Sequence, residues 1–315
     1  MPLKLCLVGA GHMGRLHAGK LAGMKDVSLT CVVDVNRPQA DEVAGGHGTR
    51  GSDRIEDALA DGVQGVVIAS TTGTHFAIAR EFLKRGVHVF VEKPIAADPE
   101  EAEALIELAR EKSVLLQIGH IERFSPAFRR ACRFIRAPLS MEARRIGVFT
   151  GRSTDIDVVH DLMIHDIDLA LSLNKTAIRR ISAEGTPVLT KKTDVAHARI
   201  EFADGCVANL SASRVSKTRE RSFTIVEKGR YVSVDLAVGR MFSVESDKNG
   251  KKRTTTYRAP RPDPLRDELR AFIRAIKENG RAVVDGEEAL RALVTADNIS
   301  AEIERRLSKK MSGHG

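Results

Sequence analysis

Hydrophobic positions in the first 120 residues come in short continuous runs. Leu3–Val8, Gly65–Ala69, Val87–Val91 and Val114–Ile118 are largely apolar without alternation, and Val27–Val33 ends in the same way. Such runs predict strands buried on both faces of a sheet. Between them, helical spacing covers Met13–Ala22, Pro38–Ala44, Ile55–Ala60, Thr74–Arg85 and Pro99–Lys112. Pro38 and Pro99 stand in first turns, where a missing N–H costs nothing, and Asp98 is a natural cap. Strand–helix alternation of this kind predicts an α/β domain with a parallel sheet covered on both sides.

The pattern changes near residue 120. Glu122–Ile135 reads as helical, Met141–Phe149 as a strand and Val158–Leu173 as a strongly apolar helix. Thereafter the period drops to two. Ala196, Ala198, Ile200 and Phe202 alternate with His197, Arg199 and Glu201. Asp204-Gly205 is a hairpin signal, and Lys228-Gly229 joins Phe223–Val226 to Tyr231–Leu236 in a second one. This predicts an open, mostly antiparallel sheet with one wetter face. Burial of that face by a second copy gives a homodimer or homotetramer as the expected assembly. Residues 247–264 are basic and proline-rich and read as a surface loop. Two helices, about Leu265–Asn279 and Gly286–Leu307, close the chain. The expected domains are residues 1–120 for a dinucleotide and 121–315 for substrate and oligomerisation.

Length agrees, since 315 residues correspond to about two domains. Lys plus Arg number 50 against 42 acids, a net charge of +8. That excess is one footprint of nucleic-acid binding. However, the basic residues are scattered, and with 11 Phe, 2 Tyr and no Trp there is little to stack bases on. Neither nucleic acid nor membrane is expected as a partner, because no apolar run approaches the roughly 20 residues of a membrane helix. Cys6, Cys31, Cys132 and Cys206 form no CxxC pair. With a strand starting at Leu3, they point to a reduced, cytoplasmic protein without a signal peptide.

Gly9-Ala10-Gly11-His12-Met13-Gly14 is a G-x-G-x-x-G between a predicted strand and a predicted helix. That context gives the string its meaning. The first glycine allows the tight turn, the second lets backbone approach a pyrophosphate, and the third lets helix pack on strand. Asp34 ends the second strand twenty residues after Gly14. A carboxylate there suits the ribose hydroxyls of NAD and repels the phosphate of NADP. Arg37 keeps NADP open. An ordinary glycine-rich turn with an exposed aspartate is the plainer alternative.

Glu92-Lys93-Pro94 closes the fourth strand, where open α/β sheets bind ligands. Residues 157–168 read DVVHDLMIHDID, so Asp161, His165 and Asp168 share one face of a helix. Carboxylates favouring the helix dipole and a satisfied core histidine would explain this cluster without chemistry. A metal site is the other alternative, but no further ligand cluster completes it. A proton acceptor is the third, since histidine titrates near neutrality and oxidising an alcohol requires a base.

These features together, with residues 69–94 (ASTTGTHFAIAREFLKRGVHVFVEKP), resemble the oxidoreductase family of glucose–fructose oxidoreductase, inositol dehydrogenase and the rhizopine-catabolism protein (Gfo/Idh/MocA). The resemblance spans nearly the whole chain. It implies an N-terminal Rossmann domain and a C-terminal α+β domain with an open, mostly antiparallel sheet. It also implies Lys93, Asp161 and His165 as the catalytic set, and a cofactor held by Gly9, Gly11, His12, Met13, Gly14, Asp34, Thr71, Thr72, His75, Glu92 and Lys93. Substrate is expected at His120, Arg123, Asp161 and His165. One departure is visible: many members carry glycines before the aspartate and one between aspartate and histidine, and this chain does not. GHIERFSPAF at 119–128 with DLMIHDIDL is similar to a bacterial subgroup, the UDP-N-acetylglucosamine 3-dehydrogenases of lipid A precursor synthesis. Arg144, Arg145, Arg152, Arg214, Lys217 and Arg219 are then candidates for a diphosphate. An inositol or free-sugar dehydrogenase is the rival enzyme. A ligand-sensing regulator is the rival outside enzymology, although a sensor has no use for a proton acceptor.

Overall fold

The computed structural model describes residues 1–60, 62–151, 153–246 and 249–312. The chain divides into two compact units, residues 1–121 with 263–290, and residues 122–262 with 291–315.

The first unit contains β1 (Leu3–Val8), α1 (His12–Ala22), β2 (Val27–Val33), α2 (Arg37–Gly45), β3 (Arg50–Ser52), α3 (Ile55–Ala60), β4 (Gly65–Ile68), α4 (Thr72–Lys84), β5 (His88–Glu92), α5 (Pro99–Glu111) and β6 (Leu116–Gly119). All six strands are parallel, in the order β3-β2-β1-β4-β5-β6. This is the Rossmann order, which reverses between β1 and β4 and opens a crevice beyond the strand ends there. Asp98 caps α5 by accepting from the Glu101 N–H at 3.0 Å, with Pro99 in the first turn.

The second unit adds α6 (Pro126–Cys132), β7 (Ser140–Ile146), α7 (Ile164–Leu173), β8 (Ile178–Thr186), β9 (Val195–Phe202), β10 (Val207–Ser213), β11 (Glu220–Glu227), β12 (Arg230–Asp235), β13 (Arg240–Ser246) and β14 (Lys252–Arg258). Its sheet runs β14-β13-β12-β11-β7-β10-β9-β8, antiparallel except where β10 meets β7. Ala196, Ala198, Ile200 and Phe202 of β9 are buried on one face, while His197 and Arg199 are exposed on the other. The buried face packs on Met163, Ile164 and Ile167, and on a stripe of α9 (Gly286–Ser312) formed by Ala292, Ala296, Ile299 and Ile303.

Three expectations need correction. The substrate domain does not take all of residues 121–315, because α8 (Pro264–Lys277) belongs to the first unit. Leu269, Phe272, Ile273 and Ile276 of α8 pack against Leu5, Leu7, Val67 and Phe90 of the parallel sheet. Full burial of a side chain of that size contributes about 1.5–3 kcal/mol. The helix expected over Glu122–Ile135 is a 3₁₀ turn, Ile121–Phe124, followed by α6. Pro126 disfavours a helical Ser125, which instead caps the new helix. The surface loop expected over 247–264 contains β14, paired with β13 from Arg240↔Arg258 to Ser246↔Lys252. Three consecutive threonines and a tyrosine favour a strand, and flanking Lys and Arg suit an edge.

Candidate active site

The glycine turn carries its own explanation. Gly9 has φ +99°, and a Cβ there would lie 2.5 Å from the backbone of Ala69 and Ser70. A Cβ on Gly14 would lie 1.8 Å from the Gly9 carbonyl oxygen. Protein packing therefore demands both glycines. A Cβ on Gly11 would meet nothing within 4 Å. The middle glycine leaves open space above the N-terminus of α1, where no side chain caps the first N–H groups. A bare helix start beside an open backbone fits a pyrophosphate. His12 and Met13 begin that helix.

Asp34 is fixed at the same turn. Its Oδ2 accepts from the Ala10 N–H at 2.7 Å and its Oδ1 from the Asn36 N–H at 2.9 Å. Arg37 turns to Asp41 at 2.8 Å, with Asp53 at 3.9 Å. Thr71 is exposed and Thr72 half-buried at the start of α4. His75 is buried, with Nδ1 2.9 Å from the Pro94 carbonyl and Nε2 3.2 Å from that of Ser70. Burial pushes its pKa down, and the two carbonyls offset only part of that. His75 thus ties α4 to the turn that follows Lys93.

Lys93 is half-buried immediately after β5, and Glu92 pairs with Gly119 at the ends of β5 and β6. Glu92 belongs to a group whose other two members lie outside the sequence motifs. His17 Nε2 lies 2.7 Å from Glu92 Oε1, and the fully buried Glu268 of α8 completes the set. Ligand atoms of these three lie within 4.8 Å of one another. Among the described residues no other three His, Cys, Asp or Glu groups come that close, and neither Asp161 nor His165 belongs to this set. A polar residue three positions after Gly14, on the helix face that packs inward, was a visible signal for His17. Glu268 had none. The buried His120 follows β6.

In the second unit, the helix expected over Val158–Leu173 is two structures. Val159–Met163 is a π-turn, with the Ile164 N–H donating to the Val159 carbonyl five residues back, and α7 follows. A π-turn is rare and recurs at functional sites. Asp161 lies within it and His165 in the first turn of α7, both half-buried. The extra residue alters their relative heading from that of a regular α-helix. Asp168 is buried and faces Arg123, whose guanidinium lies 3.7 Å from Oδ1.

Two of the arginines considered for a diphosphate are structural. Arg145 is buried and forks onto Asp166 at 2.8 and 3.0 Å, with Glu122 at 2.8 Å. Burial works against its charge, but the two carboxylates outweigh that and raise its pKa. Arg214 donates to Asp194 at 2.7 Å and to the carbonyls of Ser153 and Ile156. Arg144 pairs with Glu220 across β7 and β11. Lys217 and Arg219 are exposed between β10 and β11. Arg152 lies outside the described residues.

Comparisons with known proteins agree with this layout. A family model described as an oxidoreductase family with an NAD-binding Rossmann fold matches residues 3–120. A second, the GFO/IDH/MocA C-terminal domain, matches residues 140–232. UDP-N-acetylglucosamine 3-dehydrogenase of Acidithiobacillus ferrooxidans is 37% identical over 96% of this chain and 98% of its own. Its solved structure superposes with a TM-score of 0.90, covering 97% of this chain and 99% of that one. Inositol 2-dehydrogenase of Rhizobium meliloti is 27% identical over 94% of this chain and 96% of its own. Among the described residues, no helix is long and apolar enough to cross a membrane.

Proposed function

Because the chain belongs to the Gfo/Idh/MocA oxidoreductase family, we propose that it oxidises a secondary hydroxyl of a nucleotide sugar, the 3-hydroxyl of UDP-N-acetylglucosamine, with NAD. The product would feed lipid A precursor synthesis in the cytoplasm. The observation that carries the substrate is the full-length 37% identity to an enzyme of that name. The preference for NAD rests on Asp34 at the glycine turn and on Arg37, which is engaged by Asp41.

A bound nicotinamide supplies the hydride acceptor. The chain supplies position and a proton route. Gly9, Gly11, Gly14 and the start of α1 would hold the pyrophosphate, with His12 and Met13. Asp34 would bind the ribose, and Thr71, Thr72, His75, Glu92 and Lys93 would complete the cofactor site by resemblance to the family, with His75 also keeping the turn after Lys93 in place. By resemblance to the family, Lys93 would orient the substrate hydroxyl, His165 or Lys93 would take its proton, and Asp161 would orient these groups or contact the substrate. His120 and Arg123 contact the sugar, with Arg123 anchored by Asp168.

A substrate panel tests this reading: NADH formation with UDP-N-acetylglucosamine, UDP-glucose, myo-inositol and glucose. Turnover is expected with the first. Turnover with myo-inositol alone would move the assignment to the inositol dehydrogenases, and none at all would favour a ligand sensor. We also propose a homodimer or homotetramer closed over the open sheet face. Tyr231 and Phe242 stand on that face, 42% and 41% exposed. Light scattering that returns a monomer would overturn it.

A further inference from the structure

His160, one residue before Asp161, lies inside the π-turn and is held from both sides. Its Nδ1 is 3.0 and 3.1 Å from the two carboxylate oxygens of Asp157, and its Nε2 is 2.8 Å from Asp297 Oδ1 on α9. A neutral imidazole offers one donor and one acceptor, whereas a carboxylate only accepts. Both contacts are made together only when both ring nitrogens carry protons. Asp157 is itself fixed, accepting from the N–H groups of Val159 and His160 and from Ser300 Oγ on α9. It occupies the stretch where the family resemblance leads one to expect glycine. The charged groups facing the ring are thus Asp157 and Asp297. β10, packed against the turn, buries Ala208, Leu210 and Ala212, and Arg214 donates to the neighbouring Ile156 carbonyl.

We propose that His160 is a positioning residue whose imidazolium pins the π-turn to α9 and so fixes the heading of Asp161 and His165. The inference rests on reading those two as catalytic. Burial of the ring opposes its charge, and the Asp157 and Asp297 carboxylates outweigh burial and raise the pKa. The same contacts, working against burial, hold the Asp157 carboxyl down to about 2.

The test uses the full chain and three variants, Asp297→Asn, His160→Gln and His160→Phe. Imidazole NMR resonances of His160, assigned by their loss in His160→Gln, are followed from acid to alkaline pH. The doubly protonated form is expected to persist above the ordinary histidine midpoint of about 6.5. Asp297→Asn should bring the midpoint down and shift the His165 resonances as well. An ordinary midpoint in the unmodified protein, or His165 signals unmoved in Asp297→Asn, overturns the proposal. These signals need no substrate, so they report on His160 even where the substrate assignment fails. With NAD and a sugar that the enzyme oxidises, Asp297→Asn should move the alkaline limb of the kcat profile to lower pH. His160→Phe should lower kcat about tenfold or more, the scale of a misplaced catalytic group, with KM for NAD unchanged. A kcat limb that stays in place counts against positioning.

Discussion

His75 in the first unit and His160 in the second each set a ring between two oxygen acceptors, with opposite results. The acceptors of His75 are the carbonyls of Pro94 and Ser70, which carry no charge, and burial drives its pKa down. Those of His160 are the carboxylates of Asp157 and Asp297, and its pKa is driven up. The difference reflects how each region is built. The nucleotide-binding unit shapes its glycine turn and the setting of His75 with backbone, through glycines, strand ends and carbonyls. The second unit shapes its own site with charged side chains brought from distant parts of the chain.

The largest expected effects test whether both regions contribute to one reaction. Lys93→Ala and His165→Ala should each lower kcat by at least ~10², the scale of a lost general acid or base. Steady-state kinetics with NAD and the sugar that the enzyme oxidises measure this. Near-normal turnover in either variant removes that residue from the catalytic set and leaves the other unit to do the chemistry.

Next in size is the charged core of the second unit. Arg145→Met leaves Glu122 and Asp166 buried without their fork and should cost about 3–5 kcal/mol in urea unfolding. Arg144→Met removes an exposed pair with Glu220 one residue away and should cost less than about 1 kcal/mol. Equal losses would mean that burial does not set the value of these pairs.

The backbone-built site has its own contrast. Gly14→Ala drives a Cβ into the Gly9 carbonyl and should destabilise the fold by about 1–3 kcal/mol. Gly11→Ala meets no protein atom, so its unfolding free energy should stay within about 1 kcal/mol of the parent. NAD binding should nevertheless weaken at least tenfold. If Gly11→Ala binds NAD normally, the open space above α1 is not where the pyrophosphate lies.

These contrasts explain what could be read from the sequence. The glycine turn, Asp34 and the Asp98 cap were legible because each depends on residues a few positions apart, and Gly9 and Gly14 follow from steric rules alone. β14 was not legible, because the charges and prolines around it mask three threonines that pair once β13 is present. Arg145 and Arg214 looked like free cations, since the acids that neutralise them lie about twenty residues away in sequence. The DVVHD segment was visible, but the role of His160 depends on Asp297, 137 positions further on. A spacing rule for α-helices also assigned Asp161 and His165 a common face that the π-turn alters.

The smallest expected effect returns to the two histidines, and its sign separates them. An unfolded histidine titrates near about 6.5. The folded value of His160 is raised, so its stabilisation is complete below that pH and drains away as pH rises through the folded value. The folded value of His75 is lowered, so its stabilisation is complete above about 6.5 and drains away as pH falls. Asp157, held at about 2, keeps its contribution until far more acid conditions. Stability followed by urea unfolding against pH should therefore decline on both sides of neutrality. His160→Phe should flatten the alkaline decline and leave the acid one, whereas His75→Asn should flatten the acid decline and leave the alkaline one. If His160→Phe flattened the acid limb instead, its ring would be neutral in the folded protein, and the distinction between carbonyl and carboxylate acceptors would not hold.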